Sequence, residues 1–323
     1  MSEQEKLLKI NFPTSPNREI GLILVTGATG YIGGKLIPEL LARSYRVRVM
    51  VRSKTAEYIK RWPGAEIMEA DALEPDKLNF ALEGVDTVFY LIHSLLLGQK
   101  KFEQMDIQLA ENFRKASGLH SVKQIIYLGG LGDPKTKLSP HLRNRKLVTR
   151  KLSEGPIPVT VLRAAMIIGA GSASYKILFH LVRNSPIFFI PRWAKTKAQP
   201  IALRDVIKYL VGVMEVDECK GQDYDIGGST VLSYNDKLKR MTSLLGIKRL
   251  FLPALISNRA FYGYLASLLT PVPGPVTRSL ISGCNNEVIC HDNRIRELIR
   301  FTPLTFDEAI REAIADEEQF DSV

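Results

Sequence analysis

The sequence predicts an α/β fold built on a doubly wound parallel sheet, with a smaller, mostly helical C-terminal substrate region. Two observations lead to this prediction. Short apolar runs alternate with segments of helical periodicity over most of the chain, which is typical of a parallel sheet covered by helices on both faces. In addition, a glycine-rich turn joins the first apolar run to the first helical segment, as in sheets that bind a phosphate group there.

The elements follow one another in a regular order. Strands are predicted near 21–26, 45–51, 65–70, 86–91, 123–129, 157–163 and 198–202, and helices near 30–43, 54–61, 75–82, 102–117, 140–153, 172–184 and 204–215. Pro38 lies within the first predicted helix, where its missing N–H is expected to bend the helix or cost a hydrogen bond.

Three glycines, spaced three residues apart, follow the first predicted strand. One makes the tight turn, one lets the backbone approach a pyrophosphate, and one lets the helix pack on the strand. The helix N-terminus then offers unpaired N–H groups and the positive end of its dipole to phosphates. The alternative is a tight turn without a ligand. The residues predicted to contact a dinucleotide are Gly27, Thr29, Gly30, Tyr31, Ile32 and Gly33.

The end of the second strand indicates which dinucleotide is bound. A site for NAD places an acid here to hold the ribose 2′-hydroxyl, but Arg52 and Ser53 stand at this position. A guanidinium binds a 2′-phosphate through two hydrogen bonds. We therefore predict an NADP(H) site; the alternative is a solvated basic strand end.

Two further strand ends complete the predicted cofactor site. Asp71 and Ala72 follow the third strand, beside the expected adenine, where Asp71 either accepts from the adenine amino group or simply begins a turn. Leu91 and His93 end the fourth strand and are expected to face the crevice at the carboxyl edge of the sheet.

The composition excludes several classes of protein. The chain has 323 residues, 45% of them hydrophobic, a net charge of +10 and three cysteines without metal-ligand spacing. No disulfide framework, metal site, signal segment or bilayer-spanning run is therefore predicted, and we expect a cytoplasmic protein. No nucleic-acid-binding module accompanies the basic residues, so no nucleic acid partner is expected.

The second half of the chain differs in character. We divide the chain into an NADP(H)-binding domain over 1–165 and a part over 166–323 that contains late elements of the sheet and a substrate or lid region. Segment 251–281 is rich in leucine, aromatic residues and proline. Core packing, an apolar substrate pocket and a membrane-facing patch all remain open for it. The basic run 135–151 is either a solvated helix face or an anion-attracting surface.

The chain resembles the extended, atypical short-chain dehydrogenase/reductase superfamily, and within it the NmrA-like NAD(P)H-binding group. The resemblance covers roughly residues 20–230. The similar segments are residues 25–33, 51–53, 71–72, 84–88, 127–130, 162–163, 199–201, 204–206 and 225–228. It implies a Rossmann-type sheet and an NADP(H) site, but it leaves the reaction open.

The chain departs from this superfamily at the catalytic residues. The resemblance implies a serine after the fifth strand and a Tyr-x-x-x-Lys pair on the next helix, but Gly129 and Gly130 replace the serine region. His141 and Arg145 align with the tyrosine and the lysine. Their spacing keeps both side chains on one helix face, where His141 is expected to transfer a proton near neutral pH and Arg145 to bind ribose. Alternatively, both are surface residues of a non-catalytic protein.

Three functions are compatible with these residues. The first is an NADPH-dependent reductase of an apolar carbonyl or quinone-like substrate. The second is a non-catalytic NADP(H) sensor or regulator, and the third is a membrane-peripheral assembly factor that keeps NADP(H) as a structural ligand. The sequence does not indicate an oligomeric state.

Overall fold

The computed structural model describes residues 8, 10–93, 99–133 and 135–321; for 99–102 and 318–321 only the backbone is described. The helices are α1 Tyr31–Ala42, α2 Ala56–Arg61, α3 Pro75–Leu82, α4 Gln99–Leu119, α5 Pro140–Ser153, α6 Ala173–Asn184, α7 Leu203–Glu215, α8 Tyr234–Leu244, α9 Arg259–Leu269, α10 Gly274–Gly283, α11 Ile295–Leu298 and α12 Phe306–Asp321. The strands are β1 Leu22–Val25, β2 Arg46–Val51, β3 Glu66–Glu69, β4 Val85–Tyr90, β5 Gln124–Gly130, β6 Val159–Ala164, β7 Ile167–Ile168, β8 Ile187–Ile190, β9 Lys197–Ala198, β10 Ile201–Ala202, β11 Asp223–Ile226, β12 Leu232–Ser233 and β13 Leu250–Pro253.

A parallel sheet organises the part of the chain that the structure describes. Its seven strands lie in the order β11-β6-β5-β4-β1-β2-β3, and every neighbouring pair is parallel. The chain order reverses between β1 and β4, and in such sheets ligands bind outside the carboxyl ends of the strands at this reversal. The predicted Rossmann-type doubly wound sheet is confirmed.

The predicted strand over 198–202 is wrong. This segment forms two strands of two residues each, β9 and β10, outside the main sheet, and the seventh strand of the sheet is β11. Pro200 lacks an N–H and cannot pair within a central strand. The side chain of Gln199 instead donates to the Gly228 carbonyl and accepts from the Cys290 backbone N–H.

Buried apolar side chains on both faces hold helices against the sheet. One face packs α1 and α7, through residues such as Leu36 and Leu210, and the other packs α3, α4 and α5, through residues such as Phe113. A separate cluster joins α6, α8 and α12. Helix α1 continues past Pro38 without a break. Among the described residues, no helix combines the length and the apolar character needed to cross a bilayer.

Candidate functional site

Two glycines of the turn after β1 stand where a side chain would collide with the backbone. Gly27 has a φ of +62°, and a Cβ there would collide with the Leu91 carbonyl oxygen. A Cβ on Gly33 would lie 2.6 Å from the Gly27 carbonyl oxygen. Gly30 is the N-cap residue of α1, and no side chain in the described part of the chain caps the helix. The open N-terminus of α1 therefore faces the crevice with its N–H groups available for an anion.

A large cavity runs from this turn into the C-terminal half. Its volume is about 1010 Å³. It brings together both predicted catalytic residues and most of the predicted cofactor contacts: Gly27, Gly30, Tyr31, Ile32, Gly33, Leu91, His93, His141 and Arg145. Beyond them its walls are mostly apolar and come from α6, β8, β13, α9 and α10. The arrangement can hold an extended nucleotide at one end and an apolar molecule at the other.

The remaining predicted contacts lie away from this cavity. Thr29, Arg52 and Ser53 are exposed, and Ala72 is buried. Arg52 makes no hydrogen bond or ion pair with any residue that the structure describes, so its guanidinium is available at the carboxyl end of β2. The Asp71 carboxylate accepts from the Leu73 backbone N–H at 2.9 Å, as a residue that begins a turn does.

Helix α5 places its first turn against the carboxyl end of β5. Ser139 caps the helix by accepting from the Leu142 backbone N–H, and Pro140 occupies the first turn. A Cβ on Gly130 would lie 2.9 Å from a Leu142 methyl carbon. With glycine at position 130 the Leu142 side chain packs against the end of β5, and the first turn of α5 brings His141 to the cavity.

A polar cluster surrounds His141 at this edge. The rings of His93 and His141 lie 5.5 Å apart. The Nδ1 of His93 is 3.6 Å from the Asp106 carboxylate, to which Asn144 Nδ2 donates at 2.7 Å. The Nδ1 of His141 is buried and has no hydrogen-bond partner among the described residues. An unpaired buried nitrogen that lines a cavity is a candidate for contact with a ligand.

Arg145 lies one turn further along α5 and faces the same cavity. Its guanidinium donates to the hydroxyl of Tyr127 at 3.3 Å. Tyr127 is fully buried on β5, and burial raises the pKa of its hydroxyl above the usual value. The tyrosine therefore remains protonated and orients the guanidinium, which retains further N–H groups for ribose hydroxyls.

Both histidines are neutral at physiological pH. Burial, and then the positive charge of Arg145, lowers the pKa of His93 to about 4, although Asp106 opposes the shift. Burial, and then Arg145, lowers the pKa of His141 well below its ordinary value. The expectation that His141 titrates near neutral pH is therefore wrong. A neutral imidazole can still act as an electrophile by donating its N–H to a carbonyl oxygen.

The sequence reasoning missed several polar residues at the cavity or next to it. These are Asp106, Tyr127, Asn144, Trp193 and Lys237. Asp106 carried a recognisable signal, because it falls on the apolar face of α4 with Leu109, Ala110 and Phe113. Nothing in the sequence indicated that its carboxylate accepts a hydrogen bond from Asn144.

Comparison with known proteins agrees with this geometry. Residues 27–177 match the family described as NAD(P)H-binding. The photosystem II assembly factor Ycf39 of Trieres chinensis is 23% identical over 243 residues, which cover 73% of this chain and 75% of that protein. The protein of the same name from Synechocystis sp. is 24% identical over 64% of this chain and 62% of its own length.

Solved structures show the same fold. A nucleoside-diphosphate-sugar epimerase from Staphylococcus aureus superposes with a TM-score of 0.74 at 19% identity, over 90% of this chain and 99% of that chain. A Citrobacter sp. triphenylmethane reductase complexed with NADP(H) superposes with a TM-score of 0.71 at 18% identity, over 90% of this chain and 99% of the reductase. The matched domain and the shared fold agree with an NAD(P)H site at the glycine turn.

Proposed function

Because this chain carries an NAD(P)H-binding domain and folds like epimerases and reductases of the short-chain dehydrogenase/reductase type, we propose that it is an NADPH-dependent reductase of an apolar carbonyl or quinone-like substrate. One observation carries the proposal. The cavity is continuous from the glycine turn, past His141 and Arg145, into a chamber with apolar walls. A substrate in this chamber meets the cofactor where the polar residues converge.

Each part of the chain has a separate role in this proposal. Bound NADPH supplies the hydride. The N-terminus of α1 binds the diphosphate, Arg52 binds the 2′-phosphate, and Arg145 holds the ribose next to the nicotinamide. The neutral His141 donates a hydrogen bond from its N–H to the carbonyl oxygen and stabilises the negative charge that develops there, and a solvent water supplies the proton that converts the resulting alkoxide to the alcohol.

Turnover tests the reductase proposal. We expect the purified protein to oxidise NADPH with at least one member of a panel of apolar ketones, enones and quinones. Replacing His141 by alanine is expected to lower kcat by about 100- to 1,000-fold, because the hydrogen-bond donor that polarises the carbonyl is lost. The same substitution at His291, an exposed histidine, is the control and leaves kcat unchanged.

A protein that binds NADPH but reduces nothing supports the alternative function, a non-catalytic sensor or regulator. In that case NADPH binds tightly, no substrate in the panel is reduced, and NADPH and NADP⁺ bind equally well. An unchanged kcat for His141→Ala would also contradict the assigned role of this residue.

A second candidate, a membrane-peripheral assembly factor, is favoured by an apolar surface at the cavity mouth. Leu255 is fully exposed, and Ile256, Tyr264 and Leu268 are more than half exposed. Arg259 lies beside them at the start of α9. Exposed apolar groups next to a cation suit an anionic membrane surface, and two relatives are assembly factors by name.

Vesicle binding tests this candidate. We expect the protein to co-sediment with anionic phosphatidylglycerol vesicles at low salt. The double variant Leu255→Asp with Leu268→Asp should bind about tenfold more weakly, because two apolar contacts are replaced by charges that the lipids repel. The double variant Ile59→Asp with Leu119→Asp, at two exposed apolar residues outside this surface, is the control. If the wild-type protein does not co-sediment with these vesicles, the function of a membrane-peripheral assembly factor is excluded.

A further inference from the structure

The chamber contains a buried lysine that the reductase proposal does not use. Lys237 lies on α8, is 1% exposed and lines the cavity. Its ammonium nitrogen lies 3.4 Å from the centre of the Tyr234 ring but has no hydrogen-bond partner among the described residues. Burial lowers the pKa of Lys237 to about 7. Burying an amine without a hydrogen-bonding partner costs free energy of folding. Its presence on a cavity wall therefore indicates that a ligand supplies the partner.

A second unpaired donor lies on the neighbouring element. Trp193 belongs to the 3₁₀ helix Arg192–Lys195, which packs against α8. Its indole Nε1 is buried, has no hydrogen-bond partner among the described residues, and belongs to a residue that lines the same cavity. An ammonium and an indole N–H are both donors without acceptor capacity. The group that satisfies them must therefore be an acceptor.

The charges of the residues that line the cavity indicate that this acceptor is an anion. Arg145 and Lys237 line the cavity, whereas no aspartate or glutamate does so among the described residues. Among the described residues, the titratable groups that influence Lys237 or contact it are Cys284 and Tyr234. Burial raises the pKa of both above their usual values, so both are uncharged at neutral pH. Among the described residues, Lys237 therefore has no counter-ion. A carboxylate supplies one negative charge and two acceptor oxygens, which match one ammonium and one indole donor.

We propose that Lys237 and Trp193 bind the carboxylate of an otherwise apolar acid, which is the substrate class of this chamber. The inference takes the chamber as the substrate site from the proposed function. Its apolar walls, formed by residues such as Leu178, Phe188 and Leu265, accommodate the hydrocarbon part. The exposed apolar groups at the mouth provide an entry route for such a molecule.

Binding of a model acid tests this inference independently of turnover. The probes are dodecanoate, below its micellar concentration, and its methyl ester, titrated into the purified protein with and without saturating NADPH. We expect the wild type to bind dodecanoate at least about tenfold more tightly than the ester. Lys237→Met keeps the aliphatic stem and should abolish that preference. Lys239→Met, on the exposed face of the same helix, should leave it intact.

Two further readouts separate a binding role from a structural one. Trp193→Phe keeps a ring but removes the donor, and it should weaken dodecanoate binding about threefold without changing ester binding. Binding of the acid should also take up about half a proton at pH 7, because the carboxylate raises the pKa of Lys237 from about 7. Calorimetry in buffers of different ionisation enthalpy measures this uptake.

Several outcomes would overturn the inference. Equal affinity of the wild type for acid and ester excludes an anion site. A Lys237→Met variant that keeps the preference excludes Lys237 as its origin, and one that loses acid and ester binding equally shows a structural role. If acid binding behaves as expected while no NADPH is oxidised, the carboxylate site stands and the reductase proposal fails.

Discussion

Replacing Gly30 by aspartate is expected to abolish NADPH binding without destabilising the protein more than the matched alanine substitution does. Gly30 is the N-cap of α1, it lines the cavity, and its backbone is in the extended region with a φ of −77°. An aspartate at an N-cap is favourable for a helix. The same carboxylate would occupy the place of the cofactor diphosphate and repel it. Since juxtaposed like charges cost several kcal/mol, we expect the Kd for NADPH to rise more than about 100-fold.

Gly30→Ala is the matched control for this effect. Its Cβ makes the same contact, 3.0 Å from the Gly27 carbonyl oxygen, but it adds no charge. We expect its affinity for NADPH to be clearly higher than that of Gly30→Asp, and the Tm of Gly30→Asp to be no lower than that of Gly30→Ala. Undiminished NADPH binding by Gly30→Asp would show that the diphosphate lies elsewhere.

Replacing Arg52 by aspartate is expected to reverse the preference for NADPH over NADH. Arg52 directly follows β2, is exposed and has no intramolecular partner among the described residues. The proposed partner of its guanidinium is the 2′-phosphate. An aspartate instead repels that phosphate and can accept from the ribose hydroxyls of NADH. We expect NADPH affinity to fall about 100-fold and NADH affinity to hold or rise, as measured by fluorescence titration of both cofactors.

Arg46→Asp is the control for the charge change alone. Arg46 is the exposed first residue of the same strand, at the opposite edge of the sheet. Its substitution should leave the ratio of the two affinities unchanged. If the ratio of NADPH affinity to NADH affinity is unchanged in Arg52→Asp, the Arg52 guanidinium does not contact the cofactor.

The sequence was sufficient for the first six strands of the sheet, β1 to β6, because the information that defines them is local. The glycine turn, the buried strands and the helix caps depend on neighbouring residues, and the predicted helix over 140–153 agrees with α5 at both ends. The prediction of a strand over 198–202 was wrong because it rested on apolar character alone. It did not consider that Pro200 lacks the N–H needed for pairing with a neighbouring strand. The seventh strand, β11, could be found only from its pairing with β6.

The polar residues of the cavity were less predictable because their meaning depends on distant contacts. Lys237 falls on the buried face of α8 with Met241, a spacing visible in the sequence. However, its lack of a carboxylate partner among the described residues and its proximity to the helix that carries Trp193 depend on how separate elements pack. The neutral state of His141 likewise follows from burial and from Arg145, not from the residue type.

Calorimetric titration of the wild-type protein with NADPH and NADH tests the central claim most directly. The account predicts one NADPH per chain, bound at least about tenfold more tightly than NADH, because the 2′-phosphate adds charge-assisted hydrogen bonds. Absence of NADPH binding, or equal affinity for the two cofactors, would contradict it.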